Sequence, residues 1–168
     1  MKSMRKHLAV GVLSIALITP VFASTWNFLW VGNDEARFFF DADTVQKTPD
    51  KSVLIWIKMV NTTKPDADGS WATAARWKIG CPRRTIQTLS TSTYGSDGKF
   101  IRSASVPGAE TEVVPDSTGE AMLKIACEPN FPNDKSGNNY FKLDGLDVYQ
   151  ATKNYVNYRK SQQDAAPK

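Results

Sequence analysis

The stretch VVPDSTGEAMLKIAC, residues 113–127, has the pattern of a short helix with a marked first turn and a cysteine in its last turn. Ser117 stands three residues before Glu120, which is the spacing of a capping box, in which the serine oxygen accepts a first-turn amide and the glutamate reaches back. Pro129 is expected to end the helix. Apolar or small residues recur at spacings of three and four, so they share one face: Gly119, Met122, Leu123, Ala126 and Cys127. A helix this short is not stable alone, so this face is expected to lie on another apolar surface.

The N-terminal residues have the pattern of a secretory signal. The basic segment MKSMRKH precedes an apolar run of 15 residues from Leu8 to Phe22, and the small residues Val21 and Ala23 suit signal-peptidase cleavage after Ala23. A transmembrane helix is disfavoured because a bilayer needs about 20 apolar residues. We therefore expect residues 1–23 to be removed and the chain from Ser24 to be periplasmic or secreted.

The surface beneath the helix is predicted from the segment RWKIGC, residues 76–81. Strand alternation places Trp77, Ile79 and Cys81 on one face. The exported chain has two cysteines, and both are predicted to face the same layer, so the sequence predicts a Cys81–Cys127 disulfide. This bond would close a loop of 46 residues and stabilise the fold by about 4 kcal/mol. Two buried free thiols or an intermolecular bond are the alternatives; a redox-active pair is disfavoured because the C-x-x-C spacing is absent.

Removal of residues 1–23 changes the chemistry of the chain. The full sequence has 21 basic and 17 acidic residues and a pI of about 9.1, but three of the basic residues lie in the signal, which leaves 18 against 17 and a net charge of +1. The high pI is therefore no argument for binding nucleic acid or membranes. The only histidine, His7, is lost with the signal. A chain without histidine cannot form a Ser-His-Asp or Cys-His pair and lacks the commonest metal ligand, so we expect no catalytic residue, metal or cofactor.

The other patterns indicate a single α+β domain over residues 24–160, followed by a polar tail at 161–168. Strands joined by short turns, without helices between them, are typical of an antiparallel sheet. The strand segments are WNFLWVG, ARFFFD, SVLIWIKMV, ATAARWKIGC, TIQTLSTSTY and KFIRSAS, of which ARFFFD is either a second strand or the continuation of the first. The later segment DGLDVYQATKNYVNYRKSQ is predicted to be a second helix or an extended arm. We expect its aromatic face to pack on the sheet; the alternative is contact with a partner.

These segments together resemble the bacterial surface-adhesin protein E family. The resemblance runs from Trp26 to Cys127 and rests on FFFDADTV, VLIWIKMV, RWKIGC with the hydroxyl-rich strand after it, GSDGKFI and VVPDSTGEAMLKIAC. It implies an antiparallel sheet of about six strands with a helix held to it by the cysteine bridge, so Cys81 and Cys127 take structural roles. The named member of that family is an outer-membrane lipoprotein that binds host extracellular-matrix and plasma proteins and forms dimers. This sequence has no cysteine near Ala23, so we expect no lipid attachment.

The densest basic cluster is a candidate binding site. It comprises Arg76, Lys78, Arg83 and Arg84, which suit an acidic protein surface or a polyanion such as a glycosaminoglycan. The alternative is a solvated strand face that protects the sheet against aggregation.

Two pairs of aspartates are weaker candidates for a functional site. Asp41 and Asp43 could act as an acid–base pair, but an aspartate before a turn more often caps a backbone amide. Asp66 and Asp68 precede a glycine but lack the rest of a calcium-loop ligand frame, so a plain turn is predicted.

The sequence therefore predicts a non-enzymatic binding protein of the cell envelope, with host extracellular-matrix or plasma proteins among its candidate partners. The alternative is a periplasmic structural or assembly factor, homodimeric through a sheet edge or the C-terminal arm and without an adhesive role. A hydrolase built on Asp41 and Asp43 is the least favoured interpretation.

Overall fold

A computed structural model describes residues 24–29, 35–105, 107–133 and 140–165. The predicted signal peptide lies outside the described residues. Nine strands and two helices occur in the described part of the chain: β1 (Trp26–Leu29), β2 (Ala36–Asp41), β3 (Gln46–Lys47), β4 (Ser52–Asn61), β5 (Ala72–Gly80), β6 (Thr85–Tyr94), β7 (Phe100–Ala104), β8 (Thr111–Glu112), α1 (Thr118–Ala126), β9 (Tyr140–Lys142) and α2 (Val148–Ala165).

The strands form one antiparallel sheet in the order β7-β6-β5-β4-β2-β1-β9, with β3 paired to β4 and β8 paired to β6. The six predicted strands are all present, and the α+β class is confirmed. The expected number of about six strands was too low, because the sheet also contains β3, β8 and β9. These three strands are only two or three residues long. Strands this short carry no pattern of their own and form because a longer neighbour offers them a free edge.

The sheet is covered on both faces. Face A carries Val53, Ile55 and Ile57 of β4 and packs against α1. Face B carries the alternating residues of β4, namely Leu54, Trp56, Lys58 and Val60. The Val60 end of face B belongs to a second cluster, with Phe28, Phe39 and Ala72 beneath the start of α2.

Helix α1 confirms the pattern read from residues 113–127. The Ser117 hydroxyl oxygen accepts the Glu120 amide at 3.2 Å, and the Glu120 carboxylate reaches back to the Asp116 amide at 3.0 Å, one residue earlier than in a standard box. The buried face of α1 comprises Met122, Leu123, Ile125 and Ala126. The predicted disulfide joins Cys81 to Cys127 with the sulfurs 2.06 Å apart, and so the layer assigned to both cysteines is confirmed.

The C-terminal segment forms α2, whose packing on the sheet is confirmed by Val148, Tyr149 and Ala151 in the face B cluster. The helix is capped by Asp147, which accepts the Tyr149 and Gln150 amides at 2.8 and 2.9 Å. It continues to Ala165, through much of the stretch predicted only as a polar tail.

Candidate functional site

Helix α2 covers only one end of face B. At the other end, Trp56 of β4 lies opposite Arg76 of β5, and Leu54 lies opposite Lys78. Strand β6 pairs with β5 across a register shift between Arg76 and Trp77, and it adds Ser90 beside Arg76 and Gln87 beside Lys78. We define these six residues as the open strip: Leu54, Trp56, Arg76, Lys78, Gln87 and Ser90. Each of them remains partly exposed to solvent.

The centre of the open strip is the Trp56–Arg76 pair. In the described part of the chain, no ion pair or hydrogen bond engages the Arg76 guanidinium. Tryptophan and arginine are the residue types most enriched among side chains that dominate protein–protein binding energies. This pair therefore offers an apolar ring beside a guanidinium that can form an ion pair with a carboxylate.

Lys78, by contrast, is already neutralised. Its ammonium lies 3.0 Å from the Asp50 carboxylate. The Thr48 hydroxyl, the Lys78 ammonium and the Ser52 hydroxyl together hold the pKa of Asp50 far below its usual range. Lys78 thus contributes little net positive charge to the strip.

The structure separates the other two basic residues from the strip. Arg83 and Arg84 lie in the turn after β5, where Arg83 pairs with Glu110 at 2.7 Å and Arg84 with Glu120 at 2.8 Å. Glu120 is thereby shared between the α1 cap and the turn, and the Asp116 amide, followed by Lys124 and Arg84, lowers its pKa. Three members of the predicted cluster consequently face carboxylates.

A buried lysine on face B is a feature that no sequence motif predicts. Lys58 is 9% exposed on face B, and its ammonium lies 4.3 Å from the centre of the Tyr94 ring, 4.9 Å from Tyr149 and 5.7 Å from Trp26. Burial lowers the pKa of Lys58, and the Asp147 carboxylate acts in the opposite direction. The signal in the sequence was a lone lysine among the apolar residues of β4, and its ring partners lie on three other elements.

The two carboxylate pairs behave as turn residues. Asp41 is buried, Asp43 is exposed, and Asp41 accepts the Asp43 amide at 3.2 Å, which confirms the capping interpretation. Asp66 and Asp68 hold a turn through the Ser70 hydroxyl, and Asp68 also pairs with Arg102. Within the described ranges, no cluster of three or more potential ligands is suited to a metal ion.

Comparison with known proteins gives the family. Residues 26–128 match the family described as surface-adhesin protein E. The chain belongs to this family. The resemblance seen in the sequence is therefore confirmed, and the family describes adhesin-like surface proteins.

Two solved structures give a looser comparison. Crystal form II of Haemophilus influenzae protein E shares 14% identity, with a TM-score of 0.43 over 69% of this chain and 96% of that chain. Protein E from non-typeable Haemophilus influenzae shares 14% identity, with a TM-score of 0.39 over 68% of this chain and 82% of that chain. No curated protein matches the sequence.

The match to the surface-adhesin protein E family covers only part of the described structure. The open strip and α1 lie inside the matched residues, whereas β9 and α2 follow them. Among the residues that the structure describes, neither helix is long and apolar enough to cross a membrane.

Proposed function

We propose that this protein is a non-enzymatic, exported envelope protein that binds other proteins through the open strip. Membership in the surface-adhesin protein E family supports the binding role. The observation that carries the proposal is the partly exposed Trp56 ring beside an Arg76 guanidinium that has no partner among the described residues. Host extracellular-matrix or plasma proteins are the candidate partners.

The charge distribution favours a protein partner over a polyanion. Binding to a glycosaminoglycan or a nucleic acid draws on several uncompensated cations that release counterions together. Here Lys78, Arg83 and Arg84 are each paired with a carboxylate. A single available guanidinium beside an indole ring suits one acidic side chain next to an apolar one.

Two substitutions on the strip test this proposal. Trp56→Ala and Arg76→Ala are each expected to weaken binding to a surface coated with solubilised basement-membrane extract or plasma by about tenfold or more, as hot-spot truncations do. Arg83→Ala removes an exposed arginine outside the strip and is expected to leave binding unchanged. Binding by surface plasmon resonance, with circular dichroism as a check of folding, gives the measurement. Equal binding by all three variants would contradict the proposal.

One observation favours the alternative of a periplasmic structural or assembly factor. The edge strand β7 exposes Phe100 and Ile101 at 59% and 48%, and an exposed apolar edge can pair with a second chain. Cell fractionation and light scattering separate the two functions. Recovery only from the periplasm, as a dimer that Ile101→Lys dissociates, would support this alternative over the adhesive role.

A further inference from the structure

We infer that α2 is a displaceable cover over the Val60 end of face B. When α2 detaches, this end of the face and the open strip form one continuous exposed surface. The regulatory part of this inference rests on the proposed binding function. The detachment itself concerns this chain alone and is tested without a partner.

Two buried cations of the sheet lie under rings of α2. The Arg37 guanidinium of β2 is 3.7 Å from the centre of the Tyr155 ring, and the Lys58 ammonium of β4 is 4.9 Å from that of Tyr149. Both cations are buried, Arg37 at 5% and Lys58 at 9% exposure. Cation–π contacts of this kind are strongest when the charge is removed from water.

The same burial opposes the docking of α2. A cation that is removed from water loses hydration, and this loss can match what its partners return. Departure of α2 would hydrate Lys58 again and return water to the Tyr149 hydroxyl, which is buried with no hydrogen-bond partner among the described residues. The docking of α2 therefore depends on a balance between the cation–π contacts that favour it and the lost hydration that opposes it. Helix α1, by contrast, is held to the sheet by a covalent bond.

The packing of α2 is also limited. Among its described side chains only Val148 and Thr152 are fully buried, and those from Asn157 onward are exposed. A cleft of about 350 Å³ lies between α2 and the end of β4, lined by Trp71 and Lys153 among others. The cleft is open to solvent, so α2 leaves part of the surface beside it uncovered.

The connection before α2 allows movement without disturbing the sheet. The four residues between Leu143 and Val148 are all exposed. Asp144 and Gly145 have φ values of 29° and 86°, so the backbone of this turn differs from the negative φ of both β9 and α2. Short exposed turns of this kind are where hinge motion is absorbed.

Departure of α2 would uncover an aromatic surface. Its floor comprises Phe28, Phe39, Val60 and Ala72, with Trp26 and Tyr94 beside them. Along β4, Val60 and Lys58 lie on the same face as Trp56, so this floor continues directly into the open strip. The partner that fits is an amphipathic helix that presents aromatic side chains to the sheet, as α2 itself does with Tyr149 and Tyr155.

Hydrogen exchange measured by mass spectrometry tests the detachment. In the intact chain, the amides of residues 150–156 are expected to exchange at least tenfold faster than those of α1. Tyr149→Leu with Tyr155→Leu keeps apolar bulk but removes the α2 ring from each cation, while Lys58 keeps the Tyr94 and Trp26 rings of the sheet. Exchange in α2 is therefore expected to rise a further tenfold with α1 unchanged. Tyr158→Leu, at a 60% exposed position of the same helix, is the matched control and is expected to change nothing.

Lys58→Met is expected to have the opposite effect on exchange in α2. Methionine fills a similar volume without a charge to dehydrate, so exchange in α2 is expected to slow relative to the wild type. The inference is overturned if α2 and α1 exchange at the same rate in the wild type, or if the tyrosine and Lys58 variants behave like Tyr158→Leu.

Binding to the basement-membrane surface then tests the cover role separately. The double tyrosine variant is expected to bind at least threefold more tightly than the wild type and Lys58→Met more weakly. If Trp56→Ala lowers binding but the tyrosine variant does not raise it, the cover role fails and the proposed function stands. If Trp56→Ala has no effect, the proposed function fails, and exchange alone decides whether α2 detaches.

Discussion

At the scale of single residues, the basic side chains near the β5–β6 turn are held by carboxylates from distant parts of the chain. Arg83 and Arg84 pair with Glu110 and Glu120, which lie 27 and 36 residues further on. Exposed pairs such as these add little stability. Together with the Lys78–Asp50 pair, they leave Arg76 as the member of the predicted cluster that has no carboxylate partner among the described residues.

Asp50 gives a prediction for pH dependence. Its pKa is held below the usual 3.8 by the Thr48 hydroxyl first, and then by Lys78 and Ser52. A carboxyl group whose pKa is lowered by folding stabilises the folded state above pH 4, and this contribution is lost as the pH falls towards the folded pKa. Asp50→Asn is therefore expected to lower the urea midpoint at pH 7 and to approach the wild type at pH 2.

Asp43→Asn is the matched control for Asp50. The Asp43 carboxylate is exposed and makes no hydrogen bond or ion pair within the described ranges. Its midpoint at pH 7 is expected to equal that of the wild type. An Asp50→Asn midpoint displaced equally at pH 7 and pH 2 would show that the effect comes from packing and not from charge.

At the scale of elements, the long strands and α1 could be predicted because local pattern and tertiary environment agree in them. The alternation in β4 and the capping residues of α1 each specify a face, and the structure buries those faces. The open strip could not be predicted, because the pairing of Trp56 with Arg76 depends on strand register, and its exposure depends on where α2 ends. The Lys58 environment was hidden for the same reason, since its three rings come from β1, β6 and α2.

The cap of α1 gives a prediction at this scale. Ser117→Ala removes the hydroxyl that accepts the Glu120 amide and is expected to lower the free energy of unfolding by about 1 kcal/mol. Thr118→Ala, one residue later, removes a hydroxyl with no hydrogen bond among the described residues and serves as the control. Urea unfolding followed by tryptophan fluorescence measures both. A Ser117→Ala midpoint equal to that of Thr118→Ala would mean that the disulfide alone fixes the helix.

At the scale of the molecule, the residues after the family match contribute to both faces in different ways. Phe131 and Tyr140 enter the face A cluster, where their ring centres lie 4.9 and 5.0 Å from that of Phe40. Helix α2 belongs only to face B. The C-terminal region therefore combines a part that completes the core with a part that covers a surface.

Two truncated chains are expected to separate these roles. A chain ending at Leu146 loses α2 alone and is expected to fold cooperatively with a lower urea midpoint, because the face A core and the disulfide remain. A chain ending at Glu128 also loses Phe131 and Tyr140, each worth about 3–5 kcal/mol by analogy with large-to-small core substitutions. Since small domains have a total stability of only about 5–15 kcal/mol, this chain is expected to lose near-ultraviolet circular dichroism and to aggregate. Equal urea midpoints for the two chains would mean that the whole core lies within the matched residues. The residues after Glu128 would then only cover the surface of the sheet.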